Sequence, residues 1–347
     1  MTHRFPLKEI ARQAGLGTAT VDRVLHDRPN VSPQTRARVM AAIAELEGQE
    51  TQLAARGRRM FFDFVIEAPA RFSREVRAAT DEVARNISTA VCRPRFLMQD
   101  VMTEKEVVAN LERIAKRGSH GVCLKARDLP SIRDAVDRLV AAGIPVVTLV
   151  TDISAGRIAY VGLDNKSAGR TAAYLIAVAL RGRPGNVLAT RSDARFLGEE
   201  ARQTAFVAGL AADAPALSVI DVSGGRGVHF DTAQLIDAAL ADIDDVVAVY
   251  SMGGGNRSIS DTLRQHGQVP EVFVAHDLDQ ENRRLIADGA INFVLYHDLR
   301  HDMRNVFLAF LWHHRLIQNF PDTLSNIQVL TPANIPAPDL KPSVRGA

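Results

Sequence analysis

Polar groups of one kind recur just downstream of short apolar runs in this chain. Arg71 and Phe72 follow the first such run, Asp100 the second, Lys125, Arg127 and Asp128 the third, and Asp152 the fourth. Asp164-Asn165, Arg202, Ser251 with Asn256, Asp277, and His297-Asp298 follow later ones. Carboxylates, guanidiniums and amides gathered around an aromatic ring are what a polyhydroxyl ligand needs. Each carboxylate accepts from two hydroxyls, a guanidinium donates as a fork, and a ring stacks on the C–H face of a sugar.

A second set lies near the start, in "GLGTATVDRVLHDRPNVSP" at residues 15–33. Thr18, Ala19, Asp22, Arg23 and His26 fall on the outward face of a short helix, where arginine can grip guanine and hydroxyls can hold phosphates. The bland alternative is a helical interaction module with a solvated polar face.

Catalytic arrangements fit poorly. "YSMGGGN" follows a strand, but lacks the G-x-G-x-x-G spacing and a phosphate-loop lysine. His297 and His301 stand four apart, as a metal pair would, yet no third ligand is obvious and Asp298 as a helix cap explains the stretch. His313 and His314 are adjacent and cannot face one metal from a helix. Cys92 and Cys123 form no redox or metal motif. No nucleophile–base–acid set is present, so no enzyme, cofactor or metal is expected.

The elements that position these residues follow from periodicity. Strands are predicted at 61–67, 94–99, 121–125, 145–150, 158–162, 186–190, 217–222, 246–251, 272–276 and 292–296. Amphipathic helices between them at 74–90, 104–117, 130–142, 167–181, 200–211, 231–242 and 256–266 make βαβ order. Two parallel sheets of about five strands, each covered by helices, fit better than one of ten. In such open sheets ligands bind beyond the carboxyl ends of the strands, where the polar residues stand.

Upstream, Leu7, Ile10, Ala11 and Ala14 form one helix face, Gly15 breaks it, Thr18 caps a second helix and Ser32-Pro33 starts a third. Val21, Val24 and Leu25, then Val39, Ile43 and Leu46, would share its core. Two helices joined by a three-residue glycine turn make a helix-turn-helix.

Charge agrees with a division of labour. The first sixty residues carry ten basic and six acidic side chains, whereas the whole chain is only +2. No run of about 18 apolar residues is present, so no membrane span is expected. The amino terminus lacks the apolar segment of a signal peptide, and a reduced, cytoplasmic setting is the default.

"LKEIARQAGLGTATVDRVLHDRPNVSPQTRARVMAAIAEL" resembles the DNA-binding head of the LacI/GalR family of bacterial repressors. The matching positions are Ile10-Ala11, Ala14-Gly15, Thr20-Val21, Arg23-Val24, Val31-Ser32 and Thr35-Arg36. The resemblance implies base reading by Thr18, Ala19 and Arg23, with His26 nearby, and phosphate contacts from Thr20, Ser32 and Thr35. Asp22 stands where the family has serine, and is expected to orient Arg23. The family's Tyr-x-Pro-Asn stretch and wedge leucine are missing, with Gly57 in the leucine's place; Arg56, Arg58 and Arg59 could grip phosphates instead.

"GIPVVTLVTD", "YVGLDNKSAGRTAAYLI" and "FVAHDL" carry a second resemblance, to the type I periplasmic-binding-protein-like effector domain of the same family. It implies an all-α helix-turn-helix head at 1–47, a linker or hinge at 48–60, and two doubly wound parallel α/β lobes over 61–347. The N-lobe would take about 61–162 and 293–322, the C-lobe about 165–290 and 326–347, with crossings near 162–165, 288–293 and 320–328. Ligand positions would be Phe72, Asp152, Arg202 and Asp277, with Ser251 or Asn256 as the amide site and His297 in place of a glutamine.

Duller readings stay open. Phe72 could be core, Asp164-Asn165 a helix cap, and Asp152 and Asp277 partners of surface arginines; Lys125, Arg127 and Asp128 look like a solvated loop. Phe307, Phe310, Leu311 and Trp312 could make dimer contacts or be core. The expectation is a homodimeric regulator of double-stranded operator DNA, acting as a repressor and controlled by a sugar, polyol or sugar acid. A sugar-modifying enzyme with an accessory DNA-binding head is the alternative.

Overall fold

The computed structural model describes residues 4–29, 31–55 and 58–336. The head comprises α1 (Leu7–Ala14), α2 (Thr18–Leu25) and α3 (Pro33–Ala55). Gly15 ends α1 at φ 61°, a left-handed conformation that side chains with a Cβ resist, and the chain turns there into α2. Ile10, Ala11, Ala14, Val21, Val24, Val39, Ala42, Ile43 and Leu46 are buried together, the core that the apolar spacing predicts. Ser32 caps α3 through Oγ, 3.1 Å from the Thr35 N–H. Thr18 does not cap α2: Gly17 is the cap residue, and Thr18 is the first helical residue with its side chain exposed.

The third helix is longer than predicted. It runs through Gly48 to Ala55, so most of the segment read as linker is helical. Glutamine, glutamate, leucine and alanine after Gly48 are strong helix formers, which together offset the roughly 1 kcal/mol that one interior glycine costs. Arg56 and Gly57, where phosphate contact and the missing wedge were placed, lie outside the described residues.

The body alternates as predicted. The N-lobe begins with β1 (Arg59–Glu67), α4 (Ala70–Asn86), β2 (Val91–Gln99), α5 (Glu104–Arg117), β3 (Gly121–Lys125), α6 (Pro130–Ala141), β4 (Val146–Leu149) and β5 (Ala159–Leu163). The C-lobe has α7 (Asn165–Leu180), β6 (Gly185–Thr190), α8 (Leu197–Asp213), β7 (Leu217–Asp221), α9 (His229–Leu240), β8 (Val246–Ser251), α10 (Asn256–Gln265), β9 (Val272–His276), α11 (Gln280–Ala287) and β10 (Phe293–Tyr296). Then come α12 (Leu299–His313), β11 (Leu324–Ser325) and β12 (Gln328–Leu330). Two six-stranded sheets result, ordered β11-β5-β4-β3-β1-β2 and β12-β10-β9-β8-β6-β7. All pairs are parallel except β10 with β12.

Two of the three crossings fall where predicted, at 163–165 and between β11 and β12. The second does not. β10 pairs in parallel with β9 and belongs to the C-lobe sheet, so the chain crosses at 297–298, after β10 instead of before it. The cause is α12. Its Phe310 stacks on Phe62 of β1 with centroids 5.0 Å apart, and Phe307 meets the same ring edge-on at 5.5 Å, which ties α12, not β10, to the N-lobe. Phe307, Phe310 and Leu311 are therefore N-lobe core and not dimer contacts; Trp312 is exposed against Phe320. Among the described residues no helix is long and apolar enough to cross a membrane.

Candidate functional site

Strand order reverses between β1 and β3 in one sheet and between β6 and β8 in the other, and a crevice opens at such switch points. The strand-final residues there are Glu67, Lys125, Thr190 and Ser251. Lys125 Nζ donates to the Glu67 carbonyl at 3.0 Å and sits 4.3 Å from the Phe196 ring centroid of the other lobe. Burial pushes its amine below the usual lysine range, opposed by Glu199 and Glu67. Lys125 is thus no part of a solvated loop; Arg127 is half-buried and Asp128 buried.

The lobes touch across this crevice. Arg71 of α4 pairs with Asp279 at 2.7 Å and donates to the Gly227 carbonyl at 3.0 Å. Arg127 reaches Glu67 in its own lobe at 3.3 Å and Asp193 in the other at 3.6 Å. The Asp128 N–H donates to the Arg195 carbonyl at 2.8 Å, and the Gly198 N–H to Thr151 Oγ1 at 3.1 Å. Between Glu67, Lys125, Ser192 and Phe196 only about 10 Å³ stays open, about enough for one water. The lobes stand closed on one another.

Arg202, on the first turns of α8, is the hub. It is buried, donates from Nε to Asn165 Oδ1 at 2.7 Å and from Nη1 to the Met252 carbonyl at 3.2 Å. Its charge acts on Tyr160, Tyr250, His276 and Asp277. Close packing of α7 on α8 sets its position: a Cβ on Gly169 would lie 2.1 Å from the Arg202 carbonyl oxygen. Gly169→Ala is expected to force the helices apart and cost about 1–3 kcal/mol, read by urea denaturation. Unchanged stability would mean that the packing accommodates the methyl group and does not set Arg202.

Asp277 takes a left-handed backbone, φ 66°, at the end of β9 and points at His297, 3.5 Å from Nε2. His297 Nδ1 lies 2.5 Å from Asp302 of α12, whose other oxygen accepts from Ser325. Burial opposes charge on His297, but Asp302 and Asp277 outweigh it and lift the pKa to about 9. Burial likewise raises Asp277, and is overcome by His297 and Arg202, bringing its pKa to about 2. A charged imidazole between two carboxylates therefore spans the second crossing.

Of the predicted ligand residues, Arg202, Asp277 and His297 meet in this cluster. Ser251 and Asn256 are buried beside it in the C-lobe; the Asn256 amide nitrogen donates to Asn282 at 2.7 Å, and its Oδ1 has no partner among the described residues. Two do not join. Phe72 is buried in the N-lobe core, because α4 turns that face onto the sheet. Asp152 is spent on its own loop, bonded to Arg157, Thr148 Oγ1 at 2.8 Å and the Ile153 N–H at 2.9 Å. Asp164 is a helix cap, accepting from the Lys166 and Ser167 amides, whereas Asn165 serves Arg202. Glu67, His276 and Asp279 were not singled out from the sequence, where Lys125 looked like part of a solvated loop. Glu67, Lys125 and His276 are each the last residue of a strand.

On the head, Thr18, Ala19, Arg23, His26 and Ser32 are exposed, with Thr20 and Thr35 half-buried. Asp22 does not orient Arg23. It pairs with His26 at 3.0 Å, one turn on, and with Arg28 at 3.2 Å. That leaves Arg23 without an ion pair among the described residues. Arg58 and Arg59 are exposed.

Comparison with known proteins places both parts. Residues 6–47 match the model "Bacterial regulatory proteins, lacI family", and residues 70–306 match "Periplasmic binding protein domain". The HTH-type transcriptional regulator TreR of Salmonella typhimurium is 30% identical over 132 residues, 36% of this chain and 39% of TreR; the chain thus spans well under half of that relative's length. GanP, a glucose-galactose binding protein from Geobacillus stearothermophilus, superposes with a TM-score of 0.71 at 17% identity, over 80% of this chain and 99% of GanP. A solute-binding protein of an ABC transporter from Burkholderia graminis, in complex with D-arabinose, gives 0.71 at 18% identity, over 79% and 96%.

Proposed function

This chain belongs to the lacI family of bacterial regulatory proteins, and from that premise we propose that it is a sequence-specific DNA-binding repressor controlled by a small sugar-like effector between its lobes. One observation carries the reading. A single chain joins a helix with exposed Thr18, Ala19 and Arg23 to a two-lobed body whose facing edges are latched by Arg71–Asp279 and Arg127–Asp193. The effector closes or opens that latch, DNA prefers one arrangement, and each ligand then changes the affinity for the other by the same factor. Thr20, Ser32, Thr35 and Arg56 hold phosphates, and a homodimer sets two heads on half-sites about one helical turn apart. The protein works in the cytoplasm. The sugars named for the solved relatives support the effector class. The enzyme alternative gains nothing from the named relatives: TreR is a transcriptional regulator and the two solved structures are sugar- or solute-binding proteins.

Selection of bound fragments from random DNA, followed by anisotropy titration with and without sugars, tests this. A fixed operator whose affinity shifts with one sugar supports it; sequence-blind binding, or no response to any metabolite, overturns it. Asp277→Asn is expected to remove the effector response while operator binding persists, since it takes a carboxylate from the cleft and one partner from His297. Loss of operator binding as well would make Asp277 structural.

A further inference from the structure

We infer that the mouth of the interlobe cleft is an anion site, so that the effector carries a phosphate or carboxylate beside its hydroxyls; this rests on the effector reading above. A cavity of about 380 Å³ opens between the start of α4 and the C-lobe helices α9, α10 and α11. Four guanidiniums line it, Arg71, Arg74, Arg257 and Arg284. Arg71 is spent on Asp279 and the Gly227 carbonyl. Arg74 and Arg284 have no ion pair among the described residues. Among the described residues Arg257 has one loose, exposed ion-pair partner, Asp261 at 3.6 Å. Guanidiniums from both lobes, Arg74 and Arg284 among them without an ion pair in the described residues, thus face one cavity together with three carboxylates.

The opposing carboxylates are Asp100, Glu281 and Asp288. Glu281 is engaged with His229 through Oε2 at 3.1 Å, while its Oε1 is buried without a hydrogen-bond partner among the described residues. The first turns of α4, α9, α10 and α11 contribute Ala70, His229, Arg257 and Gln280 to the lining. Unpaired amides at those ends add positive potential to that of the arginines. Pro69 and Asp100 also line the narrow inner cleft, so the two spaces adjoin. Once the lobes part, a ligand with its hydroxylated part inward and its anionic group outward would bridge them at both ends. A free arginine pair can fork onto phosphate or carboxylate oxygens.

The test is calorimetric titration, in phosphate-free buffer, with neutral hexoses, pentoses and disaccharides, their sugar phosphates and the corresponding uronic acids. At least one anionic member is expected to bind about tenfold tighter than its neutral parent. Whether phosphates or uronic acids show the gain identifies the group. The double variant R74A/R284A, at exposed positions, is expected to bring that difference to within about threefold, while R74K/R284K keeps most of it. A neutral sugar that binds as tightly as its charged derivatives, or a preference that survives R74A/R284A, overturns the anion site and leaves the regulator reading standing. If no member binds and operator affinity never responds, both fail.

Discussion

Replacing Arg23 by alanine is expected to erase most of the preference for operator over random DNA while general, salt-sensitive affinity persists. A bidentate arginine–guanine contact contributes about 1–3 kcal/mol of discrimination, roughly 5- to 150-fold. The phosphate contacts proposed for Thr20, Ser32 and Thr35 are blind to sequence and are expected to stay. The pairing of Asp22 with His26 and Arg28 matters here, because among the described residues Arg23 has no ion pair to break before the base contact proposed for it. Anisotropy titrations on operator and scrambled duplexes across a salt series check this. An unchanged ratio between the two would remove Arg23 from base reading.

Asp302→Ala is expected to destabilise the body by about 3–5 kcal/mol, the usual cost of stripping the partner from a buried charge. Asp302 is fully buried, bonded to His297 and Ser325 at once, and ties the second crossing to the third. The same cluster dictates a pH dependence. The folded His297 holds its proton up to about 9, against an ordinary histidine value near 6.5. Its stabilisation is therefore complete below about pH 6.5 and fades as pH climbs through 9. Asp277 acts in the opposite sense: depressed to about 2, its contribution is present above about pH 4 and fades as pH falls towards 2. Urea unfolding from pH 5 to 10 should show stability declining on the alkaline side, and the decline should vanish in Asp302→Ala. A flat profile for the parent protein would mean that His297 is not charged in the fold.

The head was the most legible part. Ile10, Val21, Val24, Val39 and Leu46 recur at helical spacing, Gly15 stands at the break and Ser32 at a cap, and all of these are local relations that the folded chain keeps. Thr18 was misjudged because glycine before it satisfies the same capping geometry. The strands of the body were equally readable, since runs buried on both faces must be continuously apolar. The assignment of β10 to a lobe was not, because a four-residue strand carries no mark of which sheet it joins.

Place after a strand singled out Arg202, Asp277 and His297, which the fold brings together, but it passed over Glu67 and left Lys125 looking solvated, since a charge at a strand end has no visible partner until the opposite lobe arrives. Phe72 and Asp152 failed for the converse reason. Position after a strand does not say which way a helix face or a tight loop turns its side chain.

What the chain settled alone was its division into a groove-reading head and two α/β lobes, because periodicity, turn chemistry and capping act over a few residues. Tertiary structure decided which charges are paired, which are left free at the cleft, and where the chain crosses between lobes. Those outcomes depend on groups that sit far apart in sequence, such as Arg71 with Asp279 or His297 with Asp277 and Asp302, and on the desolvation that their meeting imposes.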